Sequence, residues 1–209
     1  MQTRGKNIAI LILAAGAGTR MGKAKQLLPW GKTTLLGNAI EAASNLGSDV
    51  FVVLGAHAPQ IKKEINQKVN FIQNDNWQLG MGTSIAKGVK HMAETKAYDA
   101  VIIMVADQPL LGSAYLQELT TAYFNGPEKI VATIYGKGHG VPALFDHTYF
   151  DKLSQLDQDV GAKFLMRKNL EDLKGLHPKE SLTDIDTWAT YTKLFNEHFP
   201  KNEAQNHDS

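Results

Sequence analysis

Residues Leu13-Ala-Ala-Gly-Ala-Gly-Thr-Arg-Met-Gly-Lys-Ala-Lys25 decide how this chain is read. The apolar run 8–13 feeds straight into them. It has no polar alternation, so it predicts a strand buried on both faces, as in a parallel sheet. The chain then turns glycine-rich at Gly16, Gly18 and Gly22. Glycines let a backbone approach a ligand closely and turn its N–H groups toward it. Two cations, Arg20 and Lys25, follow in the same loop. Bare N–H groups and two cations at the end of a buried strand suit a polyphosphate. The bland alternative is a glycine loop that only turns the chain.

Two other phosphate loops fit less well. In a dinucleotide fingerprint the third glycine belongs at Met21, but it arrives at Gly22, and the second apolar run ends Val53-Leu54-Gly55-Ala56-His57 without the acid that would hold a ribose. Gly31-Lys32-Thr33 has the tail of a Walker loop, but Gln26 stands where its first glycine should be.

The remaining chain bounds the answer. At 209 residues it suits one α/β domain. Apolar content of 43% and charged content of 21% are those of an ordinary globular chain. A net charge of +1, with no basic stripe, argues against nucleic acid and membrane surfaces as partners. The absence of cysteine excludes disulfides, thiolate metal sites and a cysteine nucleophile. The first apolar run is too short to span a bilayer, and no signal-peptide pattern follows it. The default expectation is cytoplasmic.

Strand and helix patterns alternate, as in a mostly parallel sheet covered by helices. Strands are expected at 8–13, 50–54, 69–73, 100–106 and 129–135, with 141–145 added at the sheet edge. Helices are expected at 34–46, 59–67, 82–93, 113–124, 148–155, 160–168 and 187–198. Gly47 is the expected C-cap of the first helix, and Ser113 the expected N-cap of the fourth. The domain is set at 1–199, with a disordered polar tail at 200–209.

In an open α/β sheet, ligands bind outside the carboxyl ends of the strands. The loop 16–25, the segment 74–84 and Asp107-Gln-Pro109 all fall there. Asp107, at the tip of a buried strand, suits a hard cation such as Mg²⁺, or else a turn or helix cap. Asp184 and Asp186 are two apart, so on a strand both face one way. Gly80-Met-Gly-Thr-Ser84 opens a helix whose first N–H groups and hydroxyls suit a nucleotide, or plain capping. His57, His91, His147, His177 and His198 show no ligand spacing and read as surface residues. Trp30 and Trp77 fit core or pocket wall equally.

On these motifs the chain resembles the MobA-like NTP transferase family, whose pattern is Leu-Ala-Ala-Gly-x-Gly/Ser-x-Arg-Met-Gly-x-x-Lys. Lys25-Gln-Leu-Leu-Pro-Trp-Gly-Lys-Thr-Thr-Leu-Leu36 is most similar to its molybdenum cofactor cytidylyltransferase branch. The resemblance covers about residues 7–190. It implies a single Rossmann-like, three-layer α/β domain with a mostly parallel central sheet, of the nucleotide-diphospho-sugar transferase (GT-A-like) type. It implies transfer of CMP from CTP to the phosphate of molybdopterin, with Mg²⁺ and release of pyrophosphate. A molybdoenzyme receiving the product is an implied partner.

Residue by residue, the resemblance makes Arg20 and Lys25 catalytic. It assigns the nucleotide to Leu13, Ala14, Ala15, Gly16, Gly18, Thr19, Gly80, Met81, Gly82, Thr83 and Ser84. Ala-Ala-Gly after Leu13 goes with cytosine in such families, and Ala-Gly-Gly with guanine. Val105-Ala-Asp-Gln-Pro109 matches the family's Asp-x-Pro metal motif. Asp186 matches the second aspartate of its Asp-Ile-Asp-Thr-Pro, with Trp188 replacing the proline. His139, Gly140, Pro142 and Asp159 match segments that border the second-substrate pocket, with Gln158 replacing a glycine. Guanylyl transfer, a sugar or alcohol phosphate acceptor, and a non-catalytic nucleotide- or cofactor-binding chaperone stay open as alternatives.

Overall fold

The computed structural model describes residues 7–158 and 160–200, without the side chain of Arg20. Except for Pro200, the expected tail 200–209 lies outside the described residues. Strand β1 (Ile8–Ala14) is buried at every position and runs parallel to a neighbour on each side, β4 (Asp49–Leu54) and β6 (Ala100–Val105). Its alternate side chains serve two cores. Ile8, Ile10 and Ile12 enter one cluster with helices α1 (Leu35–Ser44), α2 (Ala58–Glu64) and α4 (Ser113–Asn125). Ala9, Leu11 and Leu13 enter the other, with α3 (Met81–Thr95), α5 (Phe150–Ser154) and α6 (Ala162–Lys168). Two helical layers therefore sandwich one sheet, the three-layer α/β fold the sequence predicts. An unbroken apolar run is required because both faces are covered.

The sheet order is β5-β4-β1-β6-β8-β7-β9, where β5 is Asn70–Gln73, β7 Ile130–Tyr135, β8 Gly138–Asp146 and β9 Leu173–Leu176. A separate two-stranded ladder joins β2 (Pro29–Trp30) to β3 (Thr33–Thr34). The expected edge strand at 141–145 is corrected. It belongs to β8, which lies inside the sheet, antiparallel to both β6 and β7. The register shifts at Ala132/Thr133, and Val141 and Pro142 have no ladder partner there. A proline fits an interior strand at such a bulge, because it has no N–H to donate. Strand β9 was not foreseen. It pairs parallel with β7 at the sheet edge and is half-buried throughout, so its apolar signal is weak.

Local signals set the helix ends. The Thr34 hydroxyl caps α1 by accepting from the Gly37 amide at 3.0 Å. α1 stops at Ser44, with Asn45 rather than Gly47 as its C-cap. Ser113 is the first residue of α4 and Gly112 its cap, not Ser113. The last helix, α7 (Trp188–His198), closes a third small cluster of Met21, Leu28, Trp30, Leu35, Ile185 and Leu194. Trp30 is thus core. No helix among the described residues is long and apolar enough to cross a membrane.

Candidate active site

From β1 the chain moves outward to β4 and β5, then returns to place β6 on the other side of β1. Ligands in such sheets bind at this switch, beyond the carboxyl ends of the strands. A cleft of about 700 Å³ opens there, walled by Leu13, Ala14, Ala15 and Gly16 from β1 and its loop, Asp107 after β6, and Gly140 and Val141 from β8.

The glycine loop has a specific backbone shape. Gly18 and Gly22 sit at φ 61° and 64°, flanking a short 3₁₀ turn, Thr19–Met21. A Cβ on Gly18 would meet the Lys23 carbonyl at 2.6 Å, so both conformation and space demand glycine. Gly16 differs: a Cβ there would meet nothing within 4 Å, and its backbone faces the cleft. Beneath the loop, the Gln26 amide donates to the carbonyls of Ala14 at 2.9 Å and Gly16 at 2.7 Å. Gln26 is 3% exposed, and sequence reasoning passed over it. Its only signal was a polar residue placed just before the apolar run Leu27-Leu28.

Lys25 reaches across the cleft. Its Nζ lies 2.5 Å from Asp107 Oδ2 and 2.9 Å from Asp186 Oδ1, and it also donates to the Ile185 carbonyl at 3.4 Å. The Lys25 and Asp107 side chains are 17% and 21% exposed. Burial pulls the Lys25 ammonium toward neutrality, but Asp107 and Asp186 together outweigh it, and its pKa is raised. Burial pushes the Asp107 carboxyl up as well. Lys25 opposes that push, while Asp184 and Asp186 add to it. The two shifts differ in cause: burial leads for Asp107, with Asp184 and Asp186 adding to it, whereas the neighbouring carboxylates raise Lys25 against its burial. A divalent cation would neutralise the same carboxylates, so the oxygen set fits a hard metal ion that takes one or two carboxylates and completes its shell with phosphate and water. Among the described residues no three acidic or histidine side chains converge on one point.

Asp184 and Asp186 lie on a segment outside the sheet that is neither helix nor strand. Ile185 between them is fully buried, and its amide donates to the Asp107 carbonyl at 2.9 Å. The two acids consequently share the cleft side. Trp188, found where the resemblance expects proline, is the first residue of α7. That position suits proline because its N–H is not needed there. Trp188 instead donates its indole N–H to the Met21 carbonyl at 3.2 Å and ties the helix to the glycine loop.

Other predicted site residues divide. Gly80, Met81 and Ser84 line the cleft with Leu13, Ala14, Ala15 and Gly16. The opening of α3 is not a set of free donors, however. The Gly82 amide donates to the Gln158 carbonyl at 2.8 Å, and a Cβ on Gly82 would stand 2.5 Å from the Asp157 carbonyl. Gly82 therefore seats the carbonyls of Asp157, Gln158 and Val160 against the helix. The Thr83 hydroxyl is taken up by the carbonyls of Gly80 and Asn76, and Ser84 accepts from Asn74. Gly18, Thr19, Gly82, Thr83, His139 and Pro142 do not line the cleft. Thr133 donates to the Pro142 carbonyl, and a Cβ on Gly175 of β9 would approach the His139 ring at 3.1 Å. Of the predicted second-substrate residues, Gly140 alone faces the cleft, and Asp159 lies outside the described residues.

Of the further lining residues, the sequence leaves Trp77 open between core and pocket wall, puts Gln108 inside the expected 107–109 feature without a role, and does not flag Tyr135 or Lys163. Trp77 proves to be pocket wall, Gln108 and Tyr135 lie on the floor, and the Lys163 ammonium stands 5.9 Å from the Tyr135 ring centroid. Tyr135 and Lys163 are ordinary in sequence, and only the tertiary fold brings the end of β7 and the start of α6 to one cleft. Four histidines read as surface residues have partners: His57 lies 3.0 Å from the Ala17 carbonyl, His147 3.3 Å from an Asp146 carboxylate oxygen, His91 edge-on to Phe51, and His198 tilted against Trp30.

The fold and this cleft define the class, a nucleotidyltransferase-type α/β domain. Its backbone superposes on Rv0371c from Mycobacterium tuberculosis H37Rv with a TM-score of 0.80 at 26% identity, covering 91% of this chain and 98% of that one. A nucleotidyl transferase from Methanothermobacter thermautotroptrophicus has the same fold, with a TM-score of 0.78 at 21% identity over 92% and 98% of the two chains. The chain belongs to the MobA-like NTP transferase family, whose domain matches residues 10–173. Among curated relatives, it is 30% identical to the purine catabolism protein PucB of Bacillus subtilis over 87% of this chain and 92% of that protein. It is also 30% identical to nicotine blue oxidoreductase of Paenarthrobacter nicotinovorans, over 85% and 91%. The match to bifunctional GlmU of Ruthia magnifica, 33% identical over 54% of this chain, spans only 25% of that protein.

Proposed function

We propose that this protein is a Mg²⁺-dependent cytidylyltransferase that moves CMP from CTP to the terminal phosphate of molybdopterin. The observation that carries the reading is Lys25, held between Asp107 and Asp186 in the cleft that the backbone of Gly16 also lines. An acceptor phosphate oxygen would form a bond to the α-phosphorus of CTP, and the bond to the β-phosphate oxygen would break, sending its electron pair to pyrophosphate. Such chemistry needs positioning and charge neutralisation more than covalent help.

In this reading Lys25, with Arg20, neutralises the triphosphate and the leaving pyrophosphate. Asp107 and Asp186 would hold Mg²⁺, which supplies charge stabilisation when bound. Ala14, Ala15, Gly16, Gly80, Met81 and Ser84 would hold the nucleoside, and the preference for CTP rests on the Ala-Ala-Gly sequence. Gly140, Val141, Tyr135 and Lys163 would border the acceptor, and the product would pass to a molybdoenzyme in the cytoplasm. A manganese complex is known for Rv0371c, so Mn²⁺ belongs beside Mg²⁺ in any assay.

The test is pyrophosphate release with each NTP, with and without molybdopterin. Release with CTP and molybdopterin together supports the reading. Release with GTP or with sugar phosphates would redirect it within the class. CTP binding without release under any acceptor would point to a carrier. One relative carries an oxidoreductase name, so oxidation of a reduced nicotinamide dinucleotide is the control for a different reaction class.

A further inference from the structure

The segment that carries Asp186 has no sheet partner, yet its acid must stand opposite Asp107. Backbone and core hold it at Ile185. A third tether is a side chain: Gln108 Nε2 donates to Asp184 Oδ1 at 2.7 Å. The same nitrogen donates to the Tyr135 hydroxyl at 2.7 Å, and that hydroxyl donates onward to the Val141 carbonyl. One chain of hydrogen bonds thus crosses the cleft floor, from the carboxylates to the wall formed by β8.

The amide has a single workable orientation. Reversed, its oxygen would face a carboxylate. Burial pushes the Tyr135 hydroxyl up to about 12, so it keeps the proton it donates to Val141 and can only accept from Gln108. Gln108 is 8% exposed, and its Oε1 is buried with no partner among the described residues. A methionine of equal length would fill the space without that cost. The cost is explained if the two donated bonds have a function.

We propose that Gln108 is a positioning residue that, through Asp184, sets Asp186 for a divalent cation and, through Tyr135, ties that carboxylate to the second-substrate wall. The inference rests on the nucleotidyl-transfer reading above. Fixing Asp184 restrains Asp186, because only the buried Ile185 separates the two acids and both line the cleft. Groups that hold metal ligands in this way commonly change metal affinity ten- to a hundredfold when removed, about tenfold being expected here.

The test measures Mn²⁺ affinity by the electron paramagnetic resonance signal of free Mn²⁺, with CTP present. Gln108→Met should weaken Mn²⁺ by about tenfold while its melting temperature holds or rises. Tyr135→Phe should weaken it less and raise KM for the acceptor more than it lowers kcat. Should Gln108→Met not fold, Asp184 serves instead: Asp184→Asn keeps an acceptor for Gln108 and should bind Mn²⁺ more tightly than Asp184→Ala. Wild-type Mn²⁺ affinity in Gln108→Met, or equal losses in the two Asp184 variants, overturns the inference alone. A wild-type protein that binds no Mn²⁺ with any NTP overturns the nucleotidyl-transfer reading as well.

Discussion

The Lys25 ammonium stands 2.5 Å from the Asp107 carboxylate although 82 positions separate them in the chain. Parallel β1 and β6 are adjacent, and the loops after both strands open on the same end of the sheet. Lys25 also reaches Asp186, so one cation spans two loops and the C-terminal segment.

Lys25→Ala should therefore act twice. Pyrophosphate release should fall by about 10²–10³ or more, the loss typical of removing one charge-stabilising donor. The fold should survive, as circular dichroism would show. Near-normal turnover would remove Lys25 from the chemistry.

The same variant predicts a pH dependence. Asp107 already has a raised pKa from burial, and losing Lys25 raises it further. A carboxyl raised above its unfolded value has its stability intact below the unfolded pKa and loses it as pH rises through the folded pKa. The melting-temperature deficit of Lys25→Ala should thus be largest near neutrality and shrink as pH falls below the ordinary aspartate range. For the wild type, the raised Lys25 pKa works at the other end, with its contribution present at neutral pH and lost above the ordinary lysine range. A deficit independent of pH would contradict this account.

Ala15→Gly converts Ala-Ala-Gly into Ala-Gly-Gly and removes a methyl from the cleft wall. The ratio of kcat/KM for CTP over GTP should fall, by about tenfold for a discrimination worth ~1.4 kcal/mol. An unchanged ratio would show that nucleotide choice is made elsewhere.

Gly82→Ala should push the carbonyls of Asp157, Gln158 and Val160 off α3, because its Cβ would lie 2.5–2.8 Å from these three oxygens. Overpacking of this kind costs about 1–3 kcal/mol. Denaturant unfolding measures the cost, and KM for the acceptor should rise more than KM for CTP.

Gln158 is the one described non-glycine residue with positive φ, at 46°, and it stands where the resemblance expects glycine. Gln158→Gly removes strain of about 1–2 kcal/mol, offset by roughly 0.5–1 kcal/mol of added chain entropy. The melting temperature should hold or rise slightly. A clear fall would mean that the side chain makes a contact worth more than the strain.

The sequence by itself determined the layered α/β fold and the cleft's location. Both follow from short-range physics: an apolar run fit only for a strand buried on both faces, and glycines in a loop that must turn left-handed at Gly18. The Asp107 tip was legible for the same reason, since its strand ends abruptly in Asp-Gln-Pro. The tertiary structure alone decided that β8 inserts between β6 and β7, because a short apolar strand carries no mark of which neighbours it will bond. It alone turned Gly82 from an anion-binding donor into a seat for the carbonyls of Asp157, Gln158 and Val160. The bond from Gln108 to Asp184 spans 76 positions, and that of Lys25 to Asp186 spans 161. Separations of that size leave no periodicity in a sequence, and only the closing of the chain on itself brings such partners together.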